Sequence, residues 1–425
     1  MIIRSLHLEN YRCFENIDID FDDQLTVLVG TNGSGKTAVL DALGVFLQQA
    51  GHPRYFEEAF YQISMDDVAI GKTSKDIKYS IGIQSRNVQN GEIAIFDFIN
   101  DARDTTGTGL RIPPENIPLL RAHGGGNVLC VAYMAGRFVR GEDSILKNTA
   151  YTPSAYSAYE KNFDRSIDYI STISWFNSAD SDEARDMRDN EHKNQMPELK
   201  AVREALTKAL QGEYERPRMF GNPPEMIINR KGTEVTYKVS QLSDGYRAML
   251  ALVMDLARRM AEVRKHDNRD EVPESLLHAP AIVLIDEVEL HLHPSWQQTI
   301  LNTLMEIFPN TQFIVTTHSP QVLSSIPDKH IRILSEGKAY TVNEQTQGVM
   351  ASQILKQVFD VDPRPKGLEI VRILYEYTKL VYDEEWDTPA AEELRKKLDE
   401  HFGDSEPELM ILDMHIDNSK WERGL

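Results

Sequence analysis

The sequence predicts an α/β fold: a mixed sheet around one buried helix, interrupted by a long insertion and followed by a helical extension. Three observations carry that prediction. The strand-like run LTVLVG enters a glycine-rich turn and then KTAVLDALGVFLQQA, where Val39, Leu40, Leu43 and Phe46 recur at helical spacing. Two later runs, AIVLID (281–286) and QFIVTTHSP (312–320), are almost continuously apolar before their polar ends, as strands of a parallel sheet covered on both faces are. Ahead of them, QLSDGYRAMLALVMDLARRMAEVRKH reads as one amphipathic helix with a stripe of Met249, Leu252, Val253, Leu256 and Met260.

Taken in order, residues 1–29 alternate in the manner of strands (IIRSLHLEN, FENIDIDF, LTVLVG), and the first helix ends near the stop signals Gly51 and Pro53. Residues 51–235 are less regular. A strand-like IKYSIGIQS, the cluster HGGGN, a second strand VLCVAYM and the charged helical piece DEARDMRDNEHKN suggest an insertion of mixed structure, in part a helical lid. No heptad pattern runs long enough for a coiled-coil arm. WQQTILNTLMEIF reads as an amphipathic helix between the two apolar strands, and residues 265–280 as a polar loop. The expected organisation is a core of 1–50 and 236–345, an insertion of 51–235, and a charged helical extension of 346–425 with a turn near Asp387 to Pro389.

Charge narrows the function classes. Lys and Arg number 46 against 66 Asp and Glu, a net charge of −20, so the surface on average repels nucleic-acid backbones and anionic membranes. No apolar run approaches a membrane span, and MIIRSLHLENYRCF lacks the features of a signal peptide. Only Cys13 and Cys130 are present, too few for a disulfide framework, so a reducing cytoplasmic location is expected.

The chemistry concentrates in four places. Gly30-Thr-Asn-Gly-Ser-Gly-Lys36-Thr37 fits the phosphate-binding pattern G-x-x-x-x-G-K-[ST] between a strand and a helix. Gly30, Gly33 and Gly35 let backbone N–H groups turn toward phosphates, and the following helix N-terminus adds positive potential. Lys36 is placed to neutralise β- and γ-phosphates, and Thr37 to ligate Mg²⁺. Asp286 and Glu287 close a buried strand, where the first can hold Mg²⁺ beside Thr37 and the second can activate water as a general base. Ser243 and Gly245 open the long amphipathic helix, where a hydroxyl, N–H groups and the helix dipole suit a phosphate. His318 ends another strand, 318 − 286 = 32 residues after Asp286.

The order of these elements resembles that of ABC-type ATPases, with LSDGY similar to the LSGGQ signature except for Asp244 and Tyr246. IVLIDEVELHLHP and LENYRCFENIDIDF resemble the RecF, SMC and OLD branch of that group. LSDGYRAMLALVMDLARRM and FIVTTHSPQVLSSI resemble its stand-alone ATPases from bacterial anti-phage operons, such as those of PARIS (AriA) and of Septu and Septu-type retrons (PtuA). The resemblance is strong over roughly 1–50 and 236–325, and weaker between, where CVAYMAGR and ISWFN carry it. It implies ATP and Mg²⁺ as ligands and a homodimer or higher even-numbered homo-oligomer. Ser243 of one subunit would then reach the γ-phosphate held by the other. It also implies His318 as a switch histidine at the γ-phosphate or attacking water, Arg12 near the nucleotide, Asn32 and Ser34 in the phosphate loop, and Arg137 as a phosphate or interface contact. No glutamine loop is identifiable.

Other patterns lead elsewhere. His291-x-His293 has the look of a metal pair, but relatives carry the same HLHP at dimer contacts. The HGGG of 123–126 lacks a G-x-S-x-G nucleophile elbow to serve. Asp360-Val-Asp362 is similar to the acids of a Toprim nuclease but follows a helix-like stretch, so no built-in nuclease is expected. VYDEEWD and DNSKW place tryptophans among charges, as docking surfaces do. The expected function is an ATP-driven switch and scaffold in an anti-phage complex, holding an operon-encoded toxic nuclease until a phage-encoded trigger arrives. A RecF- or SMC-like DNA-repair role is the alternative, which would require a basic DNA-binding groove on an acidic protein. A transporter ATPase subunit would require a membrane partner.

Overall fold

A computed structural model describes residues 1–50, 61–62, 69, 72, 77–86, 93–101, 109–110, 128–135, 157–159, 163, 169–189, 196–221, 224–266 and 276–423. The chain divides into two compact units, Met1–Ile354 and Leu355–Leu425.

The strands of the first unit are β1 (Ile2–Tyr11), β2 (Phe14–Asp20), β3 (Leu25–Val29), β4 (Tyr61–Gln62), β5 (Lys78–Arg86), β6 (Ile93–Asp101), β7 (Gly109–Leu110), β8 (Leu129–Tyr133), β9 (Tyr214–Phe220), β10 (Glu225–Arg230), β11 (Thr236–Lys238), β12 (Ala281–Ile285), β13 (Thr311–Thr316), β14 (Ile331–Ser335) and β15 (Lys338–Thr341). The central sheet has the order β15-β14-β3-β13-β12-β8. Its inner strands are parallel, with β15 antiparallel at one edge. β3, β8, β12 and β13 are buried at every position, as their continuous apolar runs predict.

Helix α1 (Lys36–Ala50) follows β3, and its Val39, Leu40, Leu43 and Phe46 lie in one apolar core with residues from two sheets. Leu28, Ile282, Leu284 and Ile314 come from the central sheet; Leu6, Leu8, Ile17, Ile19 and Ile81 come from an antiparallel sheet of order β2-β1-β5-β6. A helix lodged between sheets needs apolar groups on more than one face, which KTAVLDALGVFLQQA supplies. Strands beyond residue 51 therefore complete both sheets: β5 pairs with β1 and β8 with β12. A third sheet, β11-β10-β9, precedes the helix Asp244–His266. WQQTILNTLMEIF, expected as one helix, forms Pro294–Gln297 and Ile300–Ile307, with a break at Gln298 and Thr299. No helix among the described residues is long and apolar enough to cross a membrane.

In the second unit, the helices Glu369–Tyr382, Pro389–Phe402 and Pro407–Arg423 share a core of Leu374, Tyr377, Val381, Leu398, Leu412 and Ile416. Thr388 caps the second helix by accepting the Ala391 N–H at 3.3 Å, with Pro389 at the first helical position. Trp386 is half-buried and packs against this core, whereas Trp421 is 82% exposed; the sequence had suggested exposure for both. Asp362 accepts the Arg364 N–H at 2.9 Å and the Tyr375 hydroxyl at 2.7 Å.

Candidate nucleotide-binding site

The phosphate loop links β3 to α1, and its shape excludes side chains where the backbone crowds. A Cβ at Gly30 would lie 2.4 Å from the Leu334 carbonyl oxygen and 2.6 Å from Ser34 Oγ. That Oγ is buried and has no hydrogen-bond partner among the described residues. An unpaired hydroxyl beside a glycine-lined backbone curl is chemistry a phosphate can satisfy. Lys36, only 7% exposed, donates from Nζ to the Gly30 and Thr31 carbonyls at 2.9 and 3.0 Å, so it spans the loop that it closes. Burial lowers its pKa; Asp286, Glu287 and Glu289 oppose that shift. Asn32 and Gly33 are exposed at the tip.

Parallel pairing brings the acids to this loop. β12 lies next to β13, and β13 next to β3, so three strand ends converge. Thr37 Oγ1 donates to Asp286 Oδ2 at 3.1 Å, and Thr316 Oγ1 donates to Asp286 Oδ1 at 2.6 Å. The Thr316 hydroxyl also accepts the Glu287 N–H at 2.8 Å. Glu287 itself sits at φ 49°, a left-handed conformation unusual for a non-glycine residue and common where a chain turns sharply at a functional site. A hydroxyl and a carboxylate facing each other form an all-oxygen donor pair that fits Mg²⁺, which takes one or two protein oxygens alongside phosphate and water.

His318 lies two residues beyond β13, half-buried, and its N–H donates to Glu289 Oε1 at 2.6 Å. Glu289 was not singled out in the sequence; its signal there is only a third acid in DEVE, and its partner lies 29 residues away. Arg12, at φ 50°, donates to Asp41 Oδ2 on α1 at 2.6 Å and lies over the Tyr11 ring. Arg137 and the HGGG cluster fall outside the described residues.

Ser243 is exposed immediately before the 23-residue helix Asp244–His266. Gly245 is buried, and a Cβ there would meet the His291 carbonyl oxygen at 2.5 Å. The HLHP turn therefore packs closely against the start of this helix. Tyr246, which departs from the signature pattern, packs edge-on against Trp296 at 4.5 Å between centroids and donates to Glu213 at 3.1 Å. Burial, with Glu213 beside it, pushes its hydroxyl up to about 12. His293 caps the helix Pro294–Gln297 by accepting the Ser295 N–H, and no cluster of three or more metal-binding side chains occurs among the described residues.

Residues 1–105 match a family described as "AAA ATPase domain", and residues 135–324 match "AAA domain, putative AbiEii toxin, Type IV TA system". The chain is 27% identical to the retron Ec83 probable ATPase of Escherichia coli, over 99% of this chain and 87% of that protein. It is 23% identical to the Septu protein PtuA of Bacillus thuringiensis, over 85% of each. Among solved structures, the SMC head domain from Thermotoga maritima superposes with a TM-score of 0.41 at 17% identity, covering 81% of this chain and 100% of that one. The chain thus carries two matches to AAA ATPase domains and is similar along most of its length to ATPases of retron and Septu systems.

Proposed function

We propose that two copies of this chain bind two ATP molecules head to tail, and that closing and opening of this dimer controls a toxic partner. The hydrogen-bonded chain Thr37–Asp286–Thr316–Glu287 carries the reading, because it ties the phosphate loop, the acid strand and the neighbouring strand into one unit. Backbone N–H groups of the loop, the Ser34 hydroxyl, Lys36 and Asn32 bind the phosphates. Thr37 and Asp286 hold Mg²⁺, which supplies charge neutralisation at the β- and γ-phosphates. Glu287 takes a proton from the attacking water, and His318 orients that water or the γ-phosphate. Ser243 is exposed at a helix start, where it can complete the partner subunit's site. Arg12, engaged with Asp41, acts beside the nucleotide through α1.

Relatives in retron and Septu systems support a defence-associated ATPase. The finer reading is a sensor and scaffold that restrains an operon-encoded nuclease and releases it on a phage-encoded trigger. Nucleotide energy would then change partner contacts rather than drive bulk chemistry. Purification from its own operon with ATP and Mg²⁺, followed by native mass spectrometry, should give an even-numbered homo-oligomer carrying a second gene product. Phage protection should vanish in Lys36→Ala and Glu287→Gln; protection unchanged in both would contradict the mechanism.

A further inference from the structure

Past the end of β12 one further backbone bond joins the two segments, Val288 N–H to the Thr316 carbonyl at 3.0 Å, and side chains carry the pairing beyond it. Ile285 lies opposite Val315 in the parallel pair. Thr316 then bonds Asp286 and the Glu287 N–H through its side chain. Two residues further along each strand, Glu289 Oε1 accepts the His318 N–H at 2.6 Å. The chain between is a tight turn, with Leu290 N–H to Glu287 carbonyl and Leu292 N–H to Glu289 carbonyl both at 2.9 Å. A second tie lies beside it, where the Ser319 hydroxyl donates to Gln297 Oε1 at 2.6 Å.

We propose that Glu289 is a positioning residue of the hydrolytic site, fixing the backbone of His318 in register with Glu287. A carboxylate accepting a backbone N–H makes a short, charge-assisted bond, stronger than a neutral one. Two residues that act on one water from separate strands need their spacing held, because small misplacements cost rate steeply. The other oxygen, Glu289 Oε2, is buried with no hydrogen-bond partner among the described residues, so the fold alone does not use the whole carboxylate. Its charge also helps keep Lys36 protonated against burial.

The inference rests on the proposed roles of Glu287 and His318. Steady-state ATP hydrolysis is measured for the wild type, Glu287→Gln, Glu289→Ala, Glu289→Asp and Glu289→Gln. Losing a hydrogen bond to a charged group corresponds to a fall in kcat of about 10- to 100-fold for Glu289→Ala, with KM for ATP little changed. Glu289→Asp, one methylene shorter, should fall with it. Glu289→Gln, which keeps an acceptor oxygen, should recover most of the rate. Full kcat in Glu289→Ala or Glu289→Asp, while Glu287→Gln is inactive, would overturn the inference. A wild-type rate in Glu287→Gln would sink the assigned base instead. The brace is then judged by hydrogen exchange of the His318 amide without nucleotide. Faster exchange in Glu289→Asp, restored in Glu289→Gln, supports it; unchanged protection overturns it.

Discussion

Tyr133 and Asp255 are joined by a buried hydrogen bond, the phenol donating to Asp255 Oδ2 at 2.9 Å. Tyr133 ends β8, and its carbonyl accepts the Asp286 N–H at 2.8 Å. Asp255 sits within the helix that starts after Ser243, and it also takes Thr172 Oγ1 at 2.9 Å, Arg259 Nε at 2.7 Å and Arg258 Nη2 at 3.0 Å. One residue thus connects the acid strand to the signature helix through two hydrogen bonds.

Removing the acid should be severe. Asp255 is 1% exposed and both arginines 2%, so Asp255→Ala leaves two guanidinium groups buried without their shared carboxylate. Breaking a buried ion pair from one side costs about 3–5 kcal/mol, and removing the Tyr133 hydroxyl about 1–3 kcal/mol. Thermal unfolding of Asp255→Ala and Tyr133→Phe should rank them in that order. Equal melting temperatures for both variants and the wild type would contradict this account of the network.

The same cluster sets an acid limit. Burial pushes the Asp255 carboxyl up, but Arg259 and Arg258 outweigh it and hold the group well below the carboxylate range. A folded pKa below the unfolded one contributes stability that is present above the unfolded value, about 3.9, and lost as pH falls through the folded value. Denaturant midpoints should therefore drop below about pH 4 in the wild type. Asp255→Asn should show a shallower acid slope.

Thr316 serves two partners with one hydroxyl. Thr316→Val removes the donor to Asp286 and the acceptor of the Glu287 N–H. Asp286 and the Glu287 N–H each lose one hydrogen bond, a cost of about 1 kcal/mol apiece. ATP affinity measured with Mg²⁺ should fall in this variant, while affinity in EDTA should change little. Equal losses in both conditions would place Thr316 outside the metal-facing part of the site.

Gly245 has no room for a side chain. The His291 carbonyl oxygen lies 2.5 Å from the point a methyl group would occupy, so Gly245→Ala must shift the start of the signature helix or the HLHP turn. The variant should still bind ATP at its own phosphate loop but lose the ATP-dependent increase in mass seen by light scattering. A normal nucleotide-dependent dimer would show that the signature helix start tolerates the shift.

Much of this was legible where the determinants are local. GTNGSGKT, the buried runs AIVLID and QFIVTTHSP, and the stripe of the long helix each report their structure within a dozen residues. Contacts set by distant pairing were not. IKYSIGIQS reads as a strand, but its sheet comes from pairing with Ile2–Glu9 on one side and Ile93–Asp101 on the other. Asp255, Arg258, Arg259 and Glu262 look like the solvated face of an amphipathic helix, yet all four are buried, because Tyr133, Thr172 and the Ala158 carbonyl meet them from other segments. The strands of 214–238 escaped notice because YERPRMF and EMIINR are short and interrupted by charge. Glu289 lay hidden in an acid-rich turn, since its partner is a backbone N–H rather than a side chain.

The most direct test of the head-to-tail arrangement is complementation between two dead subunits. Lys36→Ala disables a subunit's own phosphate loop, and Ser243→Arg disables the signature that it lends to its partner. Each variant alone should lack ATP hydrolysis. In a head-to-tail pair of the two, one site combines both defects and the other has none, so an equal mixture should regain about a quarter of wild-type activity. Recovery to that level supports sites shared between subunits. No recovery, under conditions where native mass spectrometry shows the mixed dimer, would contradict the central claim.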